Sequence, residues 1–182
     1  MKVFVHFANG FEEIEALTVV DVLRRADIDT KMVSVTGDLM VTGAHGITLK
    51  ADLLYDNADY KNCDMIVLPG GMPGTTSLAE HQGLVKEIKN FDNQKKWIAA
   101  ICAAPMIFGK LGLLEGKTAV IYPGMEQHLT GAKVGQHNVE IDGNIITSKG
   151  PGTAMEFAFT LVELLKDKAT VKRLKESMQV GK

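Results

Sequence analysis

The sequence predicts an α/β fold in which helices cover both faces of a mostly parallel sheet, a doubly wound α/β sandwich. Short apolar runs of strand length alternate along the chain with segments of helical periodicity. Most of these runs are apolar at consecutive positions, which is typical of strands covered on both faces. The chain has 182 residues, enough for one domain with a sizeable core. We therefore expect a single domain over residues 1–182.

The first half of the chain predicts three strands, a small β excursion and one long helix. Residues 2–8 form a buried first strand, which Asn9-Gly10 turns into a helix at 11–26. The apolar face of that helix contains Ile14, Leu17, Val20 and Leu23, and Glu12-Glu13 suit the dipole of its first turn. A strand at 30–35, a β excursion at 37–55 and a buried strand at 64–68 follow, the last ending in Pro69-Gly70-Gly71.

The second half continues the alternation. It predicts a helix at 84–91, a strand at 97–101, a helix at 105–111 and a short strand at 118–121. Residues 139–147 form a hairpin around an Asp142-Gly143-Asn144 turn. The chain ends in a helical region that breaks near Asp167.

Several residues suited to chemistry directly follow predicted strands. They are Gly10, Gly70-Gly71, Cys102 and Tyr122. In folds of this class, ligands bind at the carboxyl ends of the parallel strands. The sequence therefore predicts a functional site along this rim.

Cys102 is the candidate nucleophile. The apolar run 97–101 stops at this cysteine, small residues follow, and Pro105 opens a helical pattern, which is the layout of a sharp strand-to-helix turn. Free N–H groups at a helix N-terminus favour the thiolate, so we expect a lowered pKa for Cys102. The alternative is a small hydrophobic residue that closes a core strand.

Glu15 and the amides of nearby glycines are the groups expected to act with this thiol. Desolvation and a neighbouring thiolate would keep the Glu15 carboxyl protonated and able to donate to sulfur, whereas the alternative is an exposed surface charge. The Gly70-Gly71 amides, with the Ala103 amide, would form an oxyanion hole. The alternative is a tight turn that needs glycine.

Four residues are candidates for substrate binding at the rim: Gly70, Tyr122, His45 and His128.

The sequence contains no complete nucleotide-binding motif. Residues 112–118 are one residue too short for a P-loop, and residues 150–155 lack the third glycine of a dinucleotide fingerprint. The cysteines form no metal-binding pattern. We expect no cofactor and no metal.

Charge and hydrophobicity argue against two classes of partner, nucleic acids and membranes. The formal net charge is −2, and basic residues do not cluster as nucleic-acid binding requires, so we expect no nucleic acid partner. The N-terminal apolar run is too short for a signal peptide, and no stretch approaches the ~20 apolar residues of a membrane span. With only two cysteines, we expect a cytoplasmic protein without membrane partners.

Four motifs, at residues 9–15, 68–71, 99–105 and 148–153, resemble the ThiJ/PfpI superfamily in the same order over nearly the whole chain. They are most similar to the branch of the human parkinsonism-associated deglycase and bacterial ThiJ-type proteins. The resemblance implies a single ThiJ/PfpI-type domain, flavodoxin-like and class I glutamine-amidotransferase-like, that forms a homodimer. It also implies that Cys102 is a redox-sensitive nucleophile, that Glu15 contacts its sulfur in protonated form, and that Gly71 and Ala103 are the oxyanion donors.

Two positions depart from the family pattern. The protease-like branch has a histidine directly after the nucleophile, where this chain has Ala103, so we expect no peptidase activity. The deglycase branch usually has a histidine where this chain has Tyr122. A phenol, with an ordinary pKa of ~10, donates a hydrogen bond but is a poor base near neutral pH.

The leading hypothesis is a cofactor-free, cysteine-dependent enzyme for small reactive carbonyls. The resemblance implies glyoxalase or deglycase chemistry on methylglyoxal or its adducts, with oxidative-stress protection and chaperone action. The alternatives are a non-catalytic redox sensor or chaperone that uses oxidation of Cys102, and a hydratase or hydrolase of other small electrophiles. The first helix also predicts a homodimer, because Phe11, Ile14, Val19 and Val22 cover more of its surface than one sheet face needs.

Overall fold

The computed structural model describes residues 1–181. Its strands are β1 (Lys2–Phe7), β2 (Asp29–Ser34), β3 (Met40–Thr42), β4 (Thr48–Lys50), β5 (Leu53–Leu54), β6 (Met65–Leu68), β7 (Trp97–Ile101), β8 (Thr118–Ala119), β9 (Lys133–Val134), β10 (Val139–Asp142) and β11 (Ile145–Ser148). Its α-helices are α1 (Glu13–Arg25), α2 (Gly74–Glu80), α3 (Gln82–Asn93), α4 (Pro105–Lys110), α5 (Ala154–Leu165) and α6 (Lys168–Ser177).

The main sheet of residues 1–181 has seven strands in the order β10-β11-β7-β6-β1-β2-β5. Neighbouring strands run parallel, except that β10 pairs with β11 as an antiparallel hairpin. In the centre of the sheet, Val67 lies opposite Val5 on one side and Ala99 on the other. The predicted mostly parallel sheet is confirmed.

Helices cover both faces of this sheet because successive side chains of each strand point to opposite faces. On one face, Val3, Val5 and Phe7 of β1 pack in a core cluster with the apolar residues of α1, α5 and α6. On the other face, Phe4 belongs to a second cluster with residues of α3 and α4. Both layers are closed by side chains without exposed area, such as Phe157 and Phe108.

Two elements differ from the sequence-based expectation. Helix α2 was not expected, because Pro73-Gly74 and the short polar residues after it have weak helical propensity. The predicted strand at 118–121 is only two residues long and pairs with β9, outside the main sheet. It ends there because the Val120 N–H donates to the Thr147 hydroxyl, 3.0 Å away, rather than to a strand carbonyl.

The carboxyl ends of β1, β6 and β7 meet at one edge of the sheet. The Glu12 N–H donates to the Gly70 carbonyl over 2.9 Å, which joins the segment after β1 to the segment after β6. A Cβ on Gly71 would overlap the Gly10 carbonyl and the Glu12 nitrogen, so these two loops approach as closely as glycine allows. Among the described helices, none has the length and apolar character to cross a membrane.

Candidate active site

Cys102 lies in the turn between β7 and α4 with a φ of 63°. This left-handed conformation is rare for a residue with a Cβ, and it needs support from the surrounding structure. The Cys102 N–H donates to the Ser148 carbonyl over 3.0 Å, and the Cys102 carbonyl accepts from the Tyr122 N–H over 2.8 Å. The turn presents a partly exposed thiol at the carboxyl edge of the sheet.

Glu15 points inward from the first turn of α1, and its side chain has no exposed area. It is therefore not the surface charge that the alternative interpretation expects. Its Oε2 accepts the Gly70 N–H over 2.8 Å. Within residues 1–181, its buried Oε1 has no hydrogen-bond partner, and the carboxyl lies beside the side chain of Cys102.

Gly70 makes this contact between carboxyl and thiol possible. A Cβ at this position would lie 2.6 Å from the Cys102 Cβ and 2.7 Å from Glu15 Oε2. Both distances are shorter than van der Waals contact, so any side chain at Gly70 would push the two groups apart. Gly70 thus has a steric role in addition to donating its N–H.

Two backbone amides face the sulfur. The N–H groups of Ala103 and Gly71 favour the charged form of Cys102 and so act to lower the pKa of its thiol. Gly71 reaches this position with a φ of 88°, which a glycine adopts without strain. Such paired donors stabilise negative charge on sulfur or on an oxyanion formed next to it.

Burial dominates the protonation of both side chains. Desolvation is the main cause that raises the pKa of the Glu15 carboxyl to about 7. The pKa of the Cys102 thiol is raised to about 12, chiefly by desolvation and secondly by the charge of Glu15. The expected lowering of the Cys102 pKa is therefore wrong: the helix that follows is only six residues long, and the two amides offset only part of the desolvation.

The two pKa values depend on one another. A protonated Glu15 carries no charge and can donate to sulfur, so the second cause of the raised thiol pKa disappears when Glu15 holds the proton. The Gly71 and Ala103 amides favour the thiolate, whereas the Gly70 N–H favours the carboxylate. At each side chain, backbone donors thus oppose the rise in pKa that burial causes.

The other candidates for substrate binding lie at different distances from this centre. Tyr122 is half-exposed, and its backbone N–H binds the Cys102 carbonyl, so it lies at the rim although β8 is outside the main sheet. The backbone carbonyl of His128 packs against Gly109, a full turn along α4 from Pro105. His45 lies on the hairpin of β3 and β4, with its Nδ1 2.9 Å from a Glu13 carboxylate oxygen.

Glu13 is buried, although the sequence predicted it only as a charge that suits the dipole of the first helix. Its Oε1 accepts the His45 N–H over 2.8 Å and the Ile47 N–H over 3.4 Å. Although burial alone would raise its pKa, these bonds and the His45 ring lower it. The carboxylates of Glu12 and Glu13 and the His45 ring lie within 4.8 Å of one another, an arrangement that hydrogen bonds and ion pairs account for.

Comparison with known proteins places this arrangement in a family. The chain matches the DJ-1/PfpI family over residues 1–164. It is 45% identical over 172 residues to Protein DJ-1 homolog B of Arabidopsis thaliana, covering 92% of this chain and 39% of the plant protein. It is 30% identical over 169 residues to a protein of Pyrococcus abyssi named a deglycase, covering 91% of this chain and 100% of that protein.

A solved structure shows the same architecture. The oxidized DJ-1 of Toxoplasma gondii superposes with a TM-score of 0.95 at 36% sequence identity, covering 100% of this chain and 99% of that one. The chain therefore spans about two fifths of the plant relative but nearly all of the Toxoplasma protein. By its sequence and its fold, this chain belongs to the DJ-1/PfpI family.

Proposed function

We propose that this protein is a cofactor-free, cysteine-dependent enzyme that converts small reactive carbonyls, with methylglyoxal or its adducts as the substrate class. One observation carries the proposal: Cys102 lies beside the buried, protonatable Glu15 carboxyl, and the amides of Gly71 and Ala103 favour its thiolate. This combination suits reversible addition of a thiol to an aldehyde, in which a proton moves and an oxyanion forms.

The proposed reaction begins when the sulfur of Cys102 bonds to the aldehyde carbon of methylglyoxal. The carbonyl π bond breaks, the amides of Gly71 and Ala103 hold the alkoxide, and Glu15 takes the thiol proton and returns it to this oxygen, which leaves a neutral hemithioacetal and a free carboxylate. The Glu15 carboxylate then removes the proton from the former aldehyde carbon and delivers it to the neighbouring ketone carbon, while the hydroxyl proton passes to the ketone oxygen. The first carbon reaches the oxidation level of a thioester while the second becomes an alcohol, so the reaction needs no external oxidant.

Water completes the cycle by hydrolysing the thioester. The carbon–sulfur bond breaks, Cys102 regains its proton, and lactate leaves as the product. An adduct of methylglyoxal on a thiol or amine would enter the same sequence with loss of that thiol or amine. The P. abyssi relative that is named a deglycase supports this substrate class.

The test is lactate formation from methylglyoxal by the pure protein, with Cys102→Ser and Cys63→Ser compared. We expect Cys102→Ser to lose at least about a hundredfold in rate, because the nucleophile is removed. Cys63→Ser is the matched control and should retain activity, since Cys63 has no exposed area and its thiol donates to the Met65 carbonyl. Equal lactate formation by wild type and Cys102→Ser would refute the proposal.

A redox sensor or chaperone is the second candidate, because the groups around Cys102 would also hold an oxidised sulfur. The Glu15 carboxyl would donate to a sulfinate oxygen, and the two amides would bind its charge. The Toxoplasma relative was solved in an oxidized form. Gain of two oxygen atoms on Cys102 in mild peroxide, without any lactate formation by the reduced protein, would favour this function over the enzyme.

The homodimer remains a proposal that one surface supports. Ile14 is 57% exposed and Leu17 is 36% exposed on the outer face of α1, where apolar side chains gain from a partner. The other residues used for this prediction, Phe11, Val19 and Val22, are buried in the chain's own core. The dimer argument therefore depends on Ile14 and its exposed neighbour rather than on the whole circumference of the helix.

A further inference from the structure

The strained backbone of Cys102 is held by two segments that belong neither to β7 nor to α4. Its N–H binds the carbonyl of Ser148, the last residue of β11, and its carbonyl binds the N–H of Tyr122, after β8. A left-handed turn at a non-glycine residue persists only when neighbouring contacts fix it. The position of the sulfur therefore depends on how firmly these two segments are held.

Ser148 is fixed by a chain of hydroxyl hydrogen bonds. Its side chain has no exposed area, and its Oγ donates to the Asn138 carbonyl over 2.9 Å. The Thr153 Oγ1 lies 2.7 Å from Ser148 Oγ and accepts the Gly150 N–H over 3.1 Å. Each hydroxyl carries a single proton. Whichever of the two hydroxyls donates, Thr153 Oγ1 bonds both to Ser148 Oγ and to the Gly150 N–H, and so joins the end of β11 to the turn that follows it.

The Gly150 carbonyl is a second partner of the Thr153 hydroxyl. This carbonyl accepts the Thr153 N–H over 2.9 Å, and its other lone pair is available to Thr153 Oγ1, which is also 2.9 Å away. The Thr153 hydroxyl therefore lies within hydrogen-bond distance of Ser148 Oγ and of both backbone groups of Gly150.

The same threonine also reaches the second segment, through Gly150. A Cβ at Gly150 would lie 3.3 Å from Cδ2 of Tyr122, so the Tyr122 ring packs on this glycine. Thr153 holds the Gly150 N–H, and Tyr122 in turn holds the Cys102 carbonyl. The Thr153 hydroxyl therefore contacts Ser148 directly and Tyr122 through Gly150, the two residues that bond to the backbone of Cys102.

We propose that Thr153 is a positioning residue for Cys102: its hydroxyl fixes the Ser148 and Tyr122 segments and thereby keeps the sulfur beside Glu15 and the amides of Gly71 and Ala103. The inference deepens the proposed function in that it takes Cys102 as the reactive group. Thiol reactivity is measured without a carbonyl substrate, so the two proposals fail independently.

The test compares Thr153→Val with Thr153→Ser. Valine keeps the shape of threonine and removes the hydroxyl, whereas serine keeps the hydroxyl. The readout is the rate constant for iodoacetamide alkylation of Cys102 between pH 6 and 10, followed by peptide mass spectrometry with Cys63 as internal reference. We expect Thr153→Val to react about tenfold more slowly near neutral pH and to stay below wild type over the whole profile, because the sulfur leaves its amide donors and less thiolate forms at each pH.

Thr153→Ser should lie within about twofold of wild type, since the hydrogen-bond chain is kept. Thr153 is partly exposed, and Thr153→Ala, which needs no new volume, replaces the valine variant if that protein does not fold. A valine or alanine profile that superposes on wild type overturns the proposal, even if thermal stability falls. So does a serine variant shifted as far as valine. A shifted valine profile in a protein that forms no lactate supports Thr153 and refutes only the proposed enzyme.

Discussion

At the scale of single residues, the candidate site consists of two ionisable groups, the Cys102 thiol and the Glu15 carboxyl, whose charged forms are destabilised by burial. Cys102 adopts a left-handed backbone conformation with a φ of 63°. Because Gly70 has no side chain, the Cys102 Cβ and the Glu15 carboxyl can approach each other. Strain and missing side chains of this kind are features of functional sites, because they hold reactive groups where stability alone would not place them. Glu15 shows the cost most clearly, since burial raises its pKa to about 7.

The raised pKa of Glu15 makes stability depend on pH. The folded protein binds this proton more tightly than the unfolded chain, whose carboxyl has a pKa near 4.5. The stability due to the proton is therefore fully present below about pH 4.5 and is lost as pH rises through about 7. At ~1.4 kcal/mol per pKa unit, the loss is about 3 kcal/mol.

Glu15→Gln removes this titration while keeping a donor and an acceptor. Denaturant unfolding at a series of pH values should show the free energy of unfolding of wild type falling relative to Glu15→Gln between about pH 4.5 and 7. Glu156→Gln, at an exposed position, is the control and should follow wild type. A constant difference between wild type and Glu15→Gln over this range would show that the buried carboxyl is not protonated in the folded protein.

At the scale of elements, the hairpin of β3 and β4 forms a wall next to the carboxyl edge. The Gly10 N–H donates to the Thr42 carbonyl over 2.8 Å, and the Ala44 N–H donates to the Phe11 carbonyl over 2.8 Å. Glu13, buried at the start of α1, binds the amides of the hairpin turn. Because the pKa of Glu13 is lowered, its effect on stability depends on pH in the opposite direction to that of Glu15. The stabilisation by Glu13 is present above the ordinary pKa range of a carboxyl group and is lost as pH falls.

Glu13→Gln should loosen this hairpin at neutral pH. A neutral amide accepts weaker hydrogen bonds than a carboxylate, at a cost of about 1–2 kcal/mol. Hydrogen exchange at the amides of residues 43–47 should become about tenfold faster, while exchange in β6 stays unchanged. Glu12→Gln, whose carboxylate is 3.5 Å from the His45 ring, is the matched control. Equal exchange in the Glu13→Gln variant and wild type would contradict this role.

The sequence allows the alternating elements to be predicted better than the contacts between them. Strand β7 and the break near Asp167 follow from local apolar pattern and turn residues, and both lie where expected. Helix α2 could not be predicted locally, because its start is fixed by distant contacts of Gly74 with Gly10. The same limit applies to the buried Glu13, whose partners come from residues 43–47.

The candidate site shows the same division. The strand-to-helix turn at Cys102 and the glycines after β6 are local patterns that the sequence reveals. The Cys102 pKa was predicted in the wrong direction, because desolvation depends on how much of the thiol the fold buries. Ser148 and Thr153 lie in the motif at residues 148–153, but the sequence predicted no role for either side chain. Their contacts with Asn138 and with each other form only in the folded chain.

At the scale of the whole molecule, the outer face of α1 exposes the apolar side chains of Ile14 and Leu17. Ile14 is more than half exposed although it lies next to buried Glu13 and Glu15. Exposed apolar residues on a helix beside a candidate site favour a twofold contact between copies of the chain. A dimer formed there would bring the two sites close to the interface.

We therefore expect light scattering at micromolar concentration to give about 40 kDa, twice the 19.7 kDa of one chain. Ile14→Glu should shift the mass towards the monomer, because it places a charge in the apolar contact. Val134→Glu is the control, since Val134 is 55% exposed and lies on β9, which pairs with β8 outside the main sheet. A wild-type mass of one chain would exclude the dimer under these conditions.

The most direct test of the central claim, that Cys102 is the reactive thiol, is competitive labelling of the two cysteines. Substoichiometric iodoacetamide at neutral pH, followed by peptide mapping, should modify Cys102 at least about tenfold faster than Cys63. The reason is that Cys102 is partly exposed and faces two amides, whereas Cys63 is buried against the Met65 carbonyl. Labelling of Cys63 first, or of both at one rate, would contradict the assignment of the site.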